Sequence, residues 1–99
     1  MRRTVCRFSD LPERQGYLVE VDGEGFALFR VGDRVHAIEN ACPHREGPLA
    51  FGELRGATVH CPLHAWAFDV RTGRCDEFPG VAVRTIPVHL EGDEVQLEL

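Results

Sequence analysis

Along this chain short apolar runs alternate with polar, glycine-bearing breaks, and inside the runs the apolar positions repeat every second residue. In the run 94–99, Val95, Leu97 and Leu99 fall on one side and Gln96 and Glu98 on the other, the pattern of a strand with one buried face. The same reading predicts strands at 4–8, 17–21, 26–30, 35–39, 57–61, 65–70 and 81–86. Turn dipeptides separate them: Asp22-Gly23, Gly32-Asp33, Arg55-Gly56, Thr72-Gly73 and Gly92-Asp93. Residues 9–13 read as one capped helical turn, with Pro12 early in it, where no backbone N–H is required. No long 3.6-residue periodicity, internal repeat, linker or low-complexity segment interrupts this rhythm. The expectation is an all-β protein, a small antiparallel β-sandwich or barrel, formed as a single domain over 1–99.

Composition narrows the function more than the fold. A chain of 99 residues that is 43% hydrophobic and 27% charged is ordinary for a folded domain. No apolar run is long enough to span a bilayer, and no apolar stretch follows Met1-Arg2-Arg3, so a cytoplasmic protein without a membrane partner is expected. The net charge is −5, and all eleven basic residues are arginine. Acids and bases balance through residue 75, whereas 76–99 hold Arg84 alone against six acids. Nucleic acid is therefore not an expected partner, and the acidic stretch reads as a solvated edge, with a docking face as the alternative. A domain this small is often stapled by disulfides or a metal, which directs attention to its four cysteines and five histidines.

One stretch breaks the strand rhythm. Residues 40–54 form a long connection with two prolines and two glycines, and loops of that length in small domains usually carry function. This one holds Cys42-Pro43-His44; after sixteen intervening residues comes Cys61-Pro62-Leu63-His64. Each half offers a thiolate and an imidazole on a turn that proline stiffens. Two such loops side by side can clamp one metal centre between them. Structural zinc with two Cys and two His is one such centre, but zinc fingers pair a cysteine turn with a separate histidine turn. Mixed loops suit two irons bridged by two sulfides, one iron on thiolates and the other on imidazoles.

In these residues the chain resembles the Rieske family, whose signature is C-x-H, sixteen residues, then C-x-x-H. The likeness extends through Gly47-Pro48-Leu49, past Trp66 and Phe68-Asp69 to Thr72-Gly73, and on to Phe78-Pro79-Gly80. The resemblance implies a Rieske-type fold with a cluster-binding subdomain of two loops at about 40–80. It also implies one [2Fe-2S] cluster, with Cys42 and Cys61 on one iron and His44 and His64 on the other. Two ferric irons, two sulfides and four thiolates sum to a charge of −2; two imidazoles in place of two thiolates bring the sum to 0, which places reduction at roughly −150 to +300 mV. The high-potential members of cytochrome bc complexes join their loops by a disulfide, at positions occupied here by Gly47 and Leu63. They also carry a serine and a tyrosine that bond cluster sulfur, where this chain has Trp66 and Phe68. A low-potential ferredoxin type is thus implied.

The expected role is an electron-transfer component of an oxidoreductase, since no catalytic triad, phosphate-cradling loop or carboxylate pair suggests a substrate site. Within the family the chain looks most like the small subunits of NAD(P)H-dependent nitrite reductases, on Ala27-Leu28-Phe29-Arg30, Ala37-Ile38-Glu39-Asn40, Cys61-Pro62-Leu63-His64-Ala65-Trp66, Phe68-Asp69-Val70-Arg71-Thr72-Gly73 and Ile86-Pro87-Val88. The alternative is the ferredoxin component of an aromatic-ring-hydroxylating dioxygenase. The implied partners are redox proteins: a reductase, a sirohaem- and flavin-bearing large subunit, or an oxygenase. Cys6 and Cys75 read as small core residues, and His36, His60 and His89 as ordinary strand histidines, His60 pointing away from the cluster side. Trp66 is expected to join the core or to shield the cluster, with Phe78-Pro79-Gly80 as a covering third loop.

Overall fold

Strands dominate the computed structural model, which describes residues 1–42, 47–63 and 66–99. They are β1 (Arg2–Arg7), β2 (Tyr17–Val21), β3 (Glu24–Val31), β4 (Arg34–Glu39), β5 (Glu53–Arg55), β6 (Thr58–His60), β7 (Ala67–Asp69), β8 (Thr85–Ile86), β9 (Val88–Glu91) and β10 (Glu94–Glu98). All pairings are antiparallel, in three sheets ordered β1-β10-β9, β2-β3-β4-β8 and β5-β6-β7. The glycine of each expected turn dipeptide has a positive φ. At the β2–β3 hairpin Asp22 and Gly23 both do, at 53° and 83°, the backbone that matches strand twist in a two-residue turn.

The four-stranded sheet is the spine, and β3 shows why. Its consecutive residues Phe26, Ala27, Leu28 and Phe29 are all buried. Strand alternation sends Phe26 and Leu28 to one side, where they meet Val19, Val35, Ala37, Ile86, Val95 and Leu97. It sends Ala27 and Phe29 to the other, where they meet Ile38, Leu49, Leu54, Val59, Phe68 and Val70. Each fully buried Phe, Leu or Val contributes roughly 1.5–3 kcal/mol by leaving water. The second core also contains Cys42 and Cys61.

Four expectations need correction. The strand expected at 81–86 shrinks to Thr85–Ile86, because the residues before it bond the neighbouring turn: Val83 N–H donates to Gly73 O at 2.8 Å, and Val81 O accepts from Cys75 N–H at 3.0 Å. The connection 40–54 is not continuous loop, since it contains a 3-10 turn at Leu49–Phe51 and most of β5. The helical turn is a 3-10 turn at Phe8–Asp10, and Pro12 lies beyond its end; Leu11 is extended, as a residue before proline prefers. Leu99 is exposed although Val95 and Leu97 are wholly buried, because the chain end runs past the core to bond Met1.

Candidate metal centre

Both candidate ligand loops grow out of the second core, and each is closed in the same way. β4 ends at Glu39, and Asn40 then staples the first loop. The Asn40 carbonyl accepts from Leu49 N–H at 2.7 Å, and its Oδ1 accepts from Ala50 N–H at 2.8 Å. Inside that staple Ala41 bridges Pro48, and Cys42 N–H donates to Gly47 O at 2.9 Å. In the second loop, leaving β6, Cys61 N–H donates to Trp66 O at 2.8 Å. Each loop is thus a six-residue tip whose first residue, a cysteine, binds the carbonyl of its last.

The two cysteines are 0% and 2% exposed, so their sulfurs sit at the floor of the loops, within the apolar core. The loops also touch. A methyl group added to Gly47 would stand 2.6 Å from Cys61 Sγ and 3.2 Å from Leu63 Cγ, so the first loop's backbone lies directly on the second loop's sulfur. Only glycine permits that approach. Gly47 and Leu63, the positions of the expected loop-joining pair in high-potential relatives, are therefore neighbours here. His44 and His64 lie outside the described residues.

A third segment stands beside the second loop. Residues 75–81 fold back through Val81 N–H to Phe78 O at 2.8 Å and Cys75 N–H to Val81 O. The Phe78 ring meets the Trp66 ring at 4.5 Å and 41°. Trp66, half-buried, packs against the second core as expected and meets the third segment through Phe78 on its other side. Phe68 is wholly buried and brings no hydroxyl toward the loops.

The remaining sequence candidates fall away from this end or serve as structure. Cys75 is buried in the second core, whereas Cys6 packs against the first; no disulfide joins them. Burial, then Asp10 and Asp93, push the Cys6 thiol up to about 11, so it is a poor nucleophile. His89 pairs with Glu98 at 3.2 Å, and that hydrogen bond holds the Glu98 carboxyl below its usual value. On β6, Val59 is fully buried and His60 is not, so the alternation expected of His60 holds. The six acids of 76–99 divide between the third segment and the β9–β10 hairpin. On the hairpin Arg2, Ser9, Thr4 and His89 contact Glu91, Asp93, Glu94 and Glu98 respectively. Asn40 and Glu77 are the residues that sequence reasoning left without a role. An asparagine at a strand end, two residues before a ligand, is the signal for the first.

Comparison with known proteins accords with this arrangement. Residues 2–87 match the Rieske [2Fe-2S] domain. The ferredoxin component of the naphthalene 1,2-dioxygenase system of Pseudomonas aeruginosa is 36% identical over 91% of this chain and 88% of its own length. The solved ferredoxin of carbazole 1,9a-dioxygenase from Nocardioides aromaticivorans IC177 superposes with a TM-score of 0.90 at 34% identity, over 98% of this chain and 96% of that one. A Mycobacterium tuberculosis protein assigned as an NADH-dependent nitrite reductase small subunit superposes with a TM-score of 0.87 at 30% identity, over 98% of this chain and 93% of that one.

Proposed function

Since the chain belongs to the Rieske [2Fe-2S] family, electron-transfer proteins with one such cluster, we propose that it is a low-potential carrier whose cluster is held by Cys42, His44, Cys61 and His64. The described residues fit that group. Two cysteine sulfurs lie on an apolar floor, and Gly47 leaves the space at Cys61 Sγ that a side chain would fill. When bound, the cluster supplies a site that takes up and releases one electron. The chain's own residues set the conditions. Phe68, Leu49 and Val59 keep water from the thiolate side, and the indole and phenyl rings at Trp66 and Phe68 give cluster sulfur no hydroxyl donor, which favours the oxidised state. Leu63 on the second loop is 61% exposed and Phe78 45%, an apolar surface on which a partner can seat.

The partner system we favour is that of a ring-hydroxylating dioxygenase, with this chain as the separate ferredoxin between a reductase and the oxygenase. The observation that carries it is 34–36% identity to two dioxygenase ferredoxins over nearly their whole lengths. The second reading is the small subunit of a nitrite reductase, supported by 30% identity to the Mycobacterium tuberculosis protein and by the segments quoted above. In either case the chain acts as one cytoplasmic domain, with the site carried by about 40–80. No described helix is long and apolar enough to cross a membrane.

Affinity purification from the native host, with absorption spectra and subunit masses of what co-purifies, separates the two. An oxygenase or flavin reductase supports the first reading; a large partner with sirohaem and flavin bands replaces it with the second. For the ligands, alanine at Cys42, His44, Cys61 or His64 gives colourless protein, whereas alanine at His36, His60 or His89 leaves it brown. A midpoint above about +100 mV, high in the family range, would defeat the low-potential assignment.

A further inference from the structure

Where β7 leaves the second ligand loop, the sheet runs out of partners. His60 of β6 stands opposite Ala67, but the Ala67 backbone groups face the other way and need bonds from the third segment. Phe68 still has a backbone partner in Cys75, and Asp76 N–H reaches Ala67 O at 2.8 Å. The chain then turns away, so no carbonyl arrives for Ala67 N–H. Instead a Glu77 carboxylate oxygen accepts that N–H at 3.0 Å. The same oxygen lies 3.5 Å from the buried Cys75 Sγ, whose S–H is a second donor to it. The bond from Ala67 is the main reason the Glu77 carboxyl sits below its ordinary range.

We propose that Glu77 is a positioning residue of the metal centre: its carboxylate takes the place of a missing strand carbonyl at Ala67 and so holds residues 76–81, with Phe78 on Trp66, as a shield beside the second ligand loop. The path is short. Phe78 follows Glu77 directly and meets the Trp66 ring; Trp66 precedes Ala67 and closes the second loop through its bond from Cys61. Releasing Ala67 N–H removes one of the two bonds at that end, leaving Asp76 N–H on Ala67 O, and so loosens the shield while the bond from Cys75 N–H to Val81 O holds its far end. Water then reaches the second loop more often, and the centre becomes labile without the fold being lost. This rests on the ligand assignment proposed above.

The test uses the purified iron-loaded protein and two readouts: bleaching of its visible absorption in excess chelator, and amide exchange of the peptide containing Ala67 by mass spectrometry. Glu77→Ala bleaches about tenfold faster than wild type, with faster exchange at that peptide, the size of one net hydrogen bond. Glu77→Gln, which keeps an accepting oxygen and loses the charge, stays within about twofold in both. Phe78→Ala bleaches as fast as Glu77→Ala, and the double variant is no faster than either, since both remove one shield. Should Glu77→Ala not accumulate folded, Glu77→Asp, one methylene short of the amide, takes its place with the same expectation. Unchanged bleaching in Glu77→Ala, equal lability in Glu77→Gln, or additive effects in the double variant each overturn the proposal. A wild-type protein that binds no iron would sink the ligand assignment instead, while exchange at Ala67 would still test the strut.

Discussion

The two cores of this molecule are held together by different means. On the first side, β2, β3 and β4 run five to eight residues each, and β1 and β10 pair along most of their length. On the second side β5, β6 and β7 have three residues each, and the candidate ligand loops are closed by a few individual hydrogen bonds: Cys42 to Gly47 and Asn40 to Leu49 and Ala50 in the first, Cys61 to Trp66 in the second. Short strands alone are marginal in water. The first side is therefore able to fold on its ladder and apolar burial, while the second relies on side-chain staples and on the metal centre, whose binding energy adds to folding.

The same substitution made on each side should expose the difference most sharply. Gly47→Ala places a methyl group 2.6 Å from Cys61 Sγ, with Leu63 Cγ and Cδ1 both at 3.2 Å. Gly25→Ala, on β3, places one 3.5 Å from Asn40 Cβ and Leu18 Cδ1, an ordinary contact. Iron content in Gly47→Ala should fall below about a tenth of wild type because overpacking at a ligand cannot relax, with the far-ultraviolet circular dichroism of the base retained. Gly25→Ala should bind iron fully. Normal iron in Gly47→Ala would mean that the first loop's backbone does not rest on the sulfur.

A smaller effect is expected from the first core. Leu97 is fully buried among Phe26, Leu28, Val95 and Ile86, far along the chain from either loop. Leu97→Ala should destabilise the fold by about 2–5 kcal/mol, yet below its lowered melting temperature the visible spectrum should be that of wild type. A changed spectrum in folded Leu97→Ala would show the two sides to be one mechanical unit.

Much of this comparison was legible in the sequence, and the reason is local. All five turn dipeptides are turns because each needs a positive φ at glycine, a constraint that acts within two residues. The candidate ligand loops stood out because cysteine, histidine and proline declare themselves by type and spacing. What sequence reasoning missed depends on partners distant in the chain. β8 keeps only two residues because 81 and 83 bond the turn at 73–75 instead of β4. Pro87, which has no N–H, separates it from β9, a strand too short to show an alternation. Glu77 is one more surface acid until Ala67 N–H is found pointing at it. Leu99 lies one residue past the end of β10 and outside the core, since periodicity says which side a residue faces and not where the strand or the core ends.

The smallest expected effect lies on the seam between the two sides. His36 on β4 lines an open cleft of about 400 Å³, with Val70 and Arg71 from the second side and Val88 and Leu90 from the first. Burial, then Arg71 and more weakly Arg34, hold its imidazole below the usual value of 6.5; Asp69, tied to Arg71 at 2.9 Å, opposes them. With the folded value lowered, the unfolded chain binds more protons in the window just below 6.5, so stability rises with pH there. The contribution is fully present above the unfolded value and is lost as the pH falls through the window to the folded value. His36→Gln removes that dependence. The melting-temperature advantage of wild type over His36→Gln should shrink by on the order of a degree or two between about pH 7.5 and pH 5.5, small because the ring is only partly buried and borders an open cleft. A gap that widens toward acid would mean that His36 is stabilised as the cation, with Asp69 outweighing the arginines at the seam.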